Sequence, residues 1–167
     1  MSDLKTKLVA EAQRIEEDAE HSMKGHYNAA DRWSRHHLWV GLPAAILAAV
    51  AGAAAFKQLP EVAGILAILS TALTTVLTFL RPSERAENHK AVARQYVALR
   101  NRTRIFREVE LTDGLEMTAA KQRLLELAAA RDELNQSALG IARKDYEKAK
   151  HDIDEGRSRY RADREGQ

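Results

Sequence analysis

The 167-residue chain has no cysteine, and that absence removes disulfides, zinc–thiolate sites and thiol nucleophiles together. It suits a reducing compartment, and no redox chemistry is expected. Glycine is sparse and scattered, eight residues in all. No glycine loop cradles a phosphate, no HExxH motif occurs, and no serine sits in a strand-to-helix elbow. Enzymatic activity is therefore not expected, nor is a cofactor. An excess of one charge sign is also missing. The 26 basic and 24 acidic residues are interspersed, giving a net charge of +2, so a basic groove for nucleic acid is not expected. A secretory leader is not expected either, because residues 1–37 are mostly polar and carry Asp3, Glu11, Glu16, Glu17, Asp18 and Glu20.

The most informative absence is local. Residues 38–56 and 62–80 are each 19 positions long and hold no charged side chain. A mean hydropathy of -0.43 over the whole chain conceals them, because the charges are crowded into the remaining segments. Roughly 20 apolar residues cross the hydrocarbon layer, and a buried core helix is usually shorter with a polar stripe. The chain accordingly reads as an all-α membrane protein with a two-helix transmembrane hairpin, first span 38–56 and second span 62–80. Lys57, Gln58, Leu59, Pro60 and Glu61 form a connection short enough for antiparallel neighbours only. Pro43 is expected in the first turn or two of its helix, where the lost hydrogen bond is tolerable.

Outside the hairpin the pattern is helical. Leu4, Leu8, Ile15 and Ala19 recur at helical spacing within 1–37, which predicts an N-terminal amphipathic, juxtamembrane helix with a break near Gly25. Trp33 and Trp39, with Arg35 nearby and Arg81 on the far side of the hairpin, resemble interfacial anchors. His36 and His37 fit the same border, where a role in sensing pH is the alternative. After the hairpin, 81–156 reads as a helical region with helices at about 83–110, 118–135 and 142–155, then a polar tail over 157–167. Val92, Tyr96, Leu99, Thr103 and Phe106 mark the packed face of the first; Leu124, Leu127, Ala128, Ala130 and Leu134 that of the second; Tyr146 and Ala149 that of the third. Thr112-Asp113-Gly114 signals a turn, Thr118 is the expected N-cap beyond it, and a break is expected over 135–140.

Two of the six histidines, His21 and His26, are five apart, about 140° round a helix, so they do not share a face as a metal pair would. No metal site is expected. Lys24, Arg32 and Arg35 precede the hairpin and Arg81, Arg85, Lys90 and Arg94 follow it, against Lys57 alone in the connection. Both termini are thus expected in the cytoplasm, with the chain in the cell membrane.

Within the second span Gly64, Ala67, Thr71, Thr74 and Thr78 fall on one narrow stripe, opposite Val62, Ile65, Leu66, Leu69, Leu73 and Phe79. Small and hydroxyl residues of this kind either let membrane helices approach and hydrogen-bond, or line a water-filled path when several hairpins assemble. The first span offers a small-residue row at Gly41, Ala45, Ala49 and Ala53, and a second at Ala44, Ala48 and Gly52. One row can serve the hairpin and the other a neighbouring copy, so a homo-oligomer in membrane lipid is expected.

With RWSRHHLWVGLPAAILAAVAGAAAF, the very short turn, LTFLRPSERAENHKAVARQYVALRNR and DYEKAKHDIDEG in view, nearly the whole chain resembles the SLATT domain family, two-helix membrane effectors found beside nucleotide-signalling conflict systems of bacteria. The resemblance implies a pore-forming or membrane-perturbing anti-phage effector, held quiet until a nucleotide second messenger or a nucleotide-sensing partner protein triggers it. The alternative is a non-channel, membrane-anchored helical scaffold that recruits a cytoplasmic partner. A soluble bundle that buries the hairpin is the third reading.

Overall fold

The computed structural model describes residues 2–112 and 114–155, and every regular element among them is helical, with no strand. The elements are α1 (Ser2–Phe56), α2 (Pro60–Leu80), α3 (Pro82–Ile105) with a π-helical turn at Phe106–Glu110, α4 (Met117–Ser137) and α5 (Arg143–Asp154). The expected polar tail over 157–167, Gly156 before it, and Asp113 of the expected turn lie outside the described residues. The chain forms two compact units, one built from the described parts of 1–29 and 89–167, the other from residues 30–88.

In the first unit the core is a ladder of alternating steps of four and three. Leu8, Ala12, Ile15 and Ala19 supply it from α1, Tyr96, Leu99 and Phe106 from α3 and its π turn, and Leu124 and Leu127 from α4. Leu4, at the start of the same expected series, stays exposed. Phe106 and the next core residue, Leu111, are five apart, which would put them on different faces of an α-helix. The π turn corrects this: the Leu111 N–H donates to the Phe106 carbonyl at 3.0 Å, and both side chains are buried. Carboxylates of α1 then meet arginines of the other helices. Glu16 accepts from Arg107 Nε at 2.7 Å and Nη2 at 3.1 Å, Glu20 lies 3.4 Å from Arg100, and Asp18 lies 3.4 Å from Arg131.

Several local expectations are corrected. α1 does not break at Gly25; it is continuous from Ser2 to Phe56. A Cβ at position 25 would stand 2.9 Å from Cδ1 of Ile141, so glycine here admits the segment before α5 rather than interrupting the helix. Pro43 lies deep inside α1, not near a helix start; what it removes is the donor for the Trp39 carbonyl. Thr118 is not the cap of α4: the helix starts at Met117 after Glu116, whose extended backbone leaves Thr118 within the first turn. Tyr146 is exposed, whereas Ala149 is buried as expected. In the turn before α4, Gly114 takes φ +84, a conformation that suits glycine.

The second unit contains two helices long and apolar enough to cross a membrane. Their apolar residues are not a hidden core: Ile65 is 61% exposed, Ile68 71% and Phe79 80%. At 21 residues, α2 is about 31 Å long, the thickness of a hydrocarbon layer. The connection is tighter than the expected 57–61. Gln58 N–H donates to the Ala55 carbonyl and Leu59 N–H to the Ala54 carbonyl, both at 3.0 Å, with Gln58 at φ 57. This is a Schellman ending of α1. Pro60 then opens α2, because a proline at the first helical position loses no hydrogen bond.

Candidate functional site

Side chains at the contact between α1 and the antiparallel α2 follow alternating steps of four and three. Ala44, Ala51 and Ala54 are buried and Val40 and Leu47 half-buried on α1; Ser70 is buried and Ala63, Leu66, Leu73 and Leu77 half-buried on α2. Both series average 3.5 residues per turn, the spacing of a left-handed helix pair. Small side chains let the backbones come close. Ser70 Oγ donates to the Ala44 carbonyl across the contact at 2.8 Å, and a Cβ on Gly41 would touch Leu77 at 3.5 Å.

Each member of the threonine stripe follows a seam residue by one position: Gly64 after Ala63, Ala67 after Leu66, Thr71 after Ser70, Thr74 after Leu73, Thr78 after Leu77. One residue is about 100° of helix, so the whole stripe turns out of the intramolecular contact. All five positions are exposed in the single chain. Their hydroxyls do not wait for a donor's partner. Thr71, Thr74, Thr75 and Thr78 donate to the carbonyls of Ala67, Ser70, Thr71 and Thr74 at 2.8 to 3.0 Å. With the hydrogens turned back to the helix, the oxygens face outward as acceptors.

The stripe bounds two concavities that share Ser70 and Thr71. One is lined by those two with Thr74, Thr75, Thr78 and Phe79; the other continues along Ala67, Gly64 and Ala63 to Ala48, Ala51, Gly52 and Ala55 of α1. A Cβ on Gly52 or Gly64 would meet nothing within 4 Å, so this trough is open. The first small-residue row of α1 splits: Gly41 is half-buried by the hairpin contact, whereas Ala45, Ala49 and Ala53 are exposed. Of the second row, Ala44 is in the contact and Ala48 and Gly52 border the trough.

Trp39, Arg35 and Arg81 are exposed and Trp33 half-buried. Arg81 adopts the left-handed conformation, φ 44 and ψ 53, and its N–H closes α2 on the Leu77 carbonyl at 2.9 Å. Trp33 is better surrounded than spacing suggests. The guanidinium carbons of Arg32 and Arg85 lie 5.0 and 4.9 Å from its ring centroid, and the His36 ring meets it edge-on at 5.8 Å.

Sequence reasoning missed a pair in the first unit. His26 of α1 and His89 of α3 are buried with their Nδ1 atoms 2.9 Å apart, so one ring donates and the other accepts. Tyr96 stacks on His26 at 5.8 Å and donates its hydroxyl to Asn135 Oδ1 at 2.7 Å. Burial, and then the neighbouring His89, push the His26 pKa from 6.5 down to about 4, so this imidazole is neutral at physiological pH. The signal was available: His26 extends the ladder Leu8, Ala12, Ile15, Ala19, and His89 extends Val92, Tyr96, Leu99 backwards in the same steps. No group of three or more metal-ligating residues occurs among the described residues.

Comparison with protein-family models, with curated proteins and with solved structures finds no match for this chain.

Proposed function

We propose that this protein spans the cell membrane twice, assembles as a homo-oligomer, and opens a water-filled path along the threonine face of α2, as the likeness to SLATT effectors implies. The observation that carries this reading is the exclusion of Gly64, Ala67, Thr71, Thr74 and Thr78 from the hairpin contact. A polar face left open on an otherwise apolar helix must meet protein or water. Hydroxyls already bonded to their own helix can line water without a buried donor left over. On this reading both termini are cytoplasmic, by the lysine and arginine bias. The first unit then receives the trigger, a nucleotide second messenger or a nucleotide-sensing partner, and passes it to the hairpin. Defence against phage by membrane depolarisation is the corresponding role.

The test is induced expression with a membrane-potential dye, comparing the unchanged chain with Thr74→Leu/Thr78→Leu at equal membrane abundance. Depolarisation by the first and its suppression in the second are expected. Equal depolarisation by both would remove the path from this face. Because the hydroxyls are internally bonded, the same face can also join helices without a path, as a scaffold would. Purified protein in liposomes separates the two, since a scaffold gives no ion flux with or without candidate nucleotides.

A further inference from the structure

His26 and His89 join α1 to α3 in the first unit, where both helices lead on towards the apolar runs. From His26, α1 continues without a break into the first run, and α3 follows the second after Arg81 alone. Towards the hairpin the buried side chains of the two helices are small, Ala29 and Ala30 on α1 and Pro82 and Ala86 on α3. No large buried side chain backs the pair on that side. Hydrogen-bond geometry limits what the pair can carry. One ring can hold a positive charge and keep the 2.9 Å bond between the Nδ1 atoms, but two charged rings set N–H against N–H. Both rings are buried, so a second charge would also be cut off from water. The rings must part before both are protonated.

The groups around the pair come from each neighbouring element. α3 brings Tyr96, stacked on His26, and α4 brings Asn135, which accepts from the Tyr96 hydroxyl. α5 lies across α1 here, since Asn28 donates to the Asp145 carbonyl at 3.1 Å. Asp145 is buried, and both it and His89 have further polar contacts. The cations nearest along the two helices are Lys24 and Lys90, both half-buried.

We propose that the His26–His89 pair is a proton-operated latch: uptake of the second proton parts α1 from α3 where the two helices lead into the hairpin. The latch stands on the geometry of the first unit. Only its consequence, release of the path along α2 by acid, rests on the function proposed above. The size of the response follows from linkage. His26 titrates at about 4 in the closed pair and at its ordinary 6.5 once the rings part. Open forms therefore bind more protons between these values, and the latch is held closed above about pH 6.5 and loosened as pH falls towards 4. The opening equilibrium should rise about thirtyfold between pH 7.5 and 5.

Hydrogen exchange of the full chain in mild detergent, corrected for the intrinsic effect of pH on amide exchange, reads the latch directly. Amides of residues 89–95 in α3 should open about thirtyfold more at pH 5 than at pH 7.5, and low urea should leave their opening unmoved. Amides of residues 124–127 in the α4 core open with the whole unit, so the same urea should speed them. His26→Phe keeps a ring against Tyr96 and should abolish the pH response of residues 89–95, whereas Asp145→Asn should retain it. No rise at pH 5 in the unchanged chain overturns the latch. So does an equal effect of urea on both segments, because only whole-unit unfolding would then be seen. A response that survives in His26→Phe also overturns it, and its loss in Asp145→Asn would then name the carboxylate as the source. Nitrogen-15 spectra of the imidazoles check the assignment without substitution: the His26 ring should be neutral in the closed form at pH 5, and a charged ring there overturns the latch. Ion flux from liposomes at the two pH values tests the consequence. A latch that opens beside silent liposomes sinks the path and spares the latch, whereas unresponsive amides at 89–95 sink the latch whatever the liposomes do.

Discussion

Along α1 the inward side chains change from Leu8, Ile15 and His26 to Ala44, Ala51 and Ala54, and the polar contacts change with them. The first unit couples its helices through large apolar side chains, arginine–carboxylate pairs and a histidine pair. The hairpin couples α1 to α2 through buried alanines flanked by half-buried Val40, Leu47, Leu66, Leu73 and Leu77, and through one serine hydroxyl on a backbone carbonyl. Water accounts for the first arrangement, since removing a large apolar side chain from it yields about 1.5 to 3 kcal/mol. On the spanning reading proposed above, that gain disappears in lipid, and close approach of backbones is what remains to hold helices together. The same two steps, three and four, then serve two different forces.

The contrast is broken most severely by removing a large side chain from each unit. Phe106 is fully buried, and Phe106→Ala should cost about 3 to 5 kcal/mol. Phe79 is 80% exposed on α2, and Phe79→Ala should leave the fold unmoved. Thermal unfolding of the full chain in mild detergent, with limited proteolysis to report the first unit, checks both. Comparable losses would mean that Phe79 is held by contacts absent from the single chain.

Acid comes next, and it should act on the first unit alone. The His26 pKa is about 4 in the folded chain against an ordinary 6.5. Between these values the unfolded chain binds more protons, so stability rises with pH. The contribution is complete above about pH 6.5 and is lost as pH falls through 4, an effect of order 3 kcal/mol over that window. His26→Phe keeps an aromatic ring against Tyr96 and should flatten the profile between pH 4 and 6.5, as read by denaturant midpoints. An unchanged slope in that variant would assign the acid sensitivity elsewhere.

The hairpin has its own sensitive position. Ala51 is buried on the seam, and Ala51→Leu should force the helices apart at about 1 to 3 kcal/mol. Ala49→Leu, two residues away and exposed, should be silent in the monomer, and on the proposed oligomeric reading it should disrupt only assembly. Detergent titration of helicity, paired with cross-linking for assembly, distinguishes the two effects.

These positions also show what could be read from the sequence. The core ladder of the first unit was legible because large apolar residues stand out among charges: Leu8, Ile15, Tyr96, Leu99, Phe106, Leu124 and Leu127 are all buried. In the first apolar run, by contrast, alanine occupies nearly every row, so periodicity could not say which row meets α2. The contact fell on Ala44, Leu47, Ala51 and Ala54, of which only Ala44 belongs to either row, because a seam in steps of four and three leaves a row of fixed step four. The stripe on α2 was visible as a pattern, but its partner is not encoded in spacing. His26 and His89 were visible only as members of two separate ladders, 63 residues apart.

The smallest expected effect tests how tightly the hairpin is tied at its end. Gln58 takes φ 57 at the position where helices ending this way usually have glycine. A side chain there crowds the following carbonyl, at a cost of roughly 1 kcal/mol. Gln58 is exposed, so no lost contact offsets the relief on substitution. Gln58→Gly should then stabilise the hairpin by about 0.5 to 1 kcal/mol, less than the strain removed because glycine also frees the unfolded chain. Detergent titration should show a later midpoint for the hairpin and no change in the acid profile of the first unit. A destabilised hairpin would mean that the glutamine side chain makes the turn and is not merely tolerated by it.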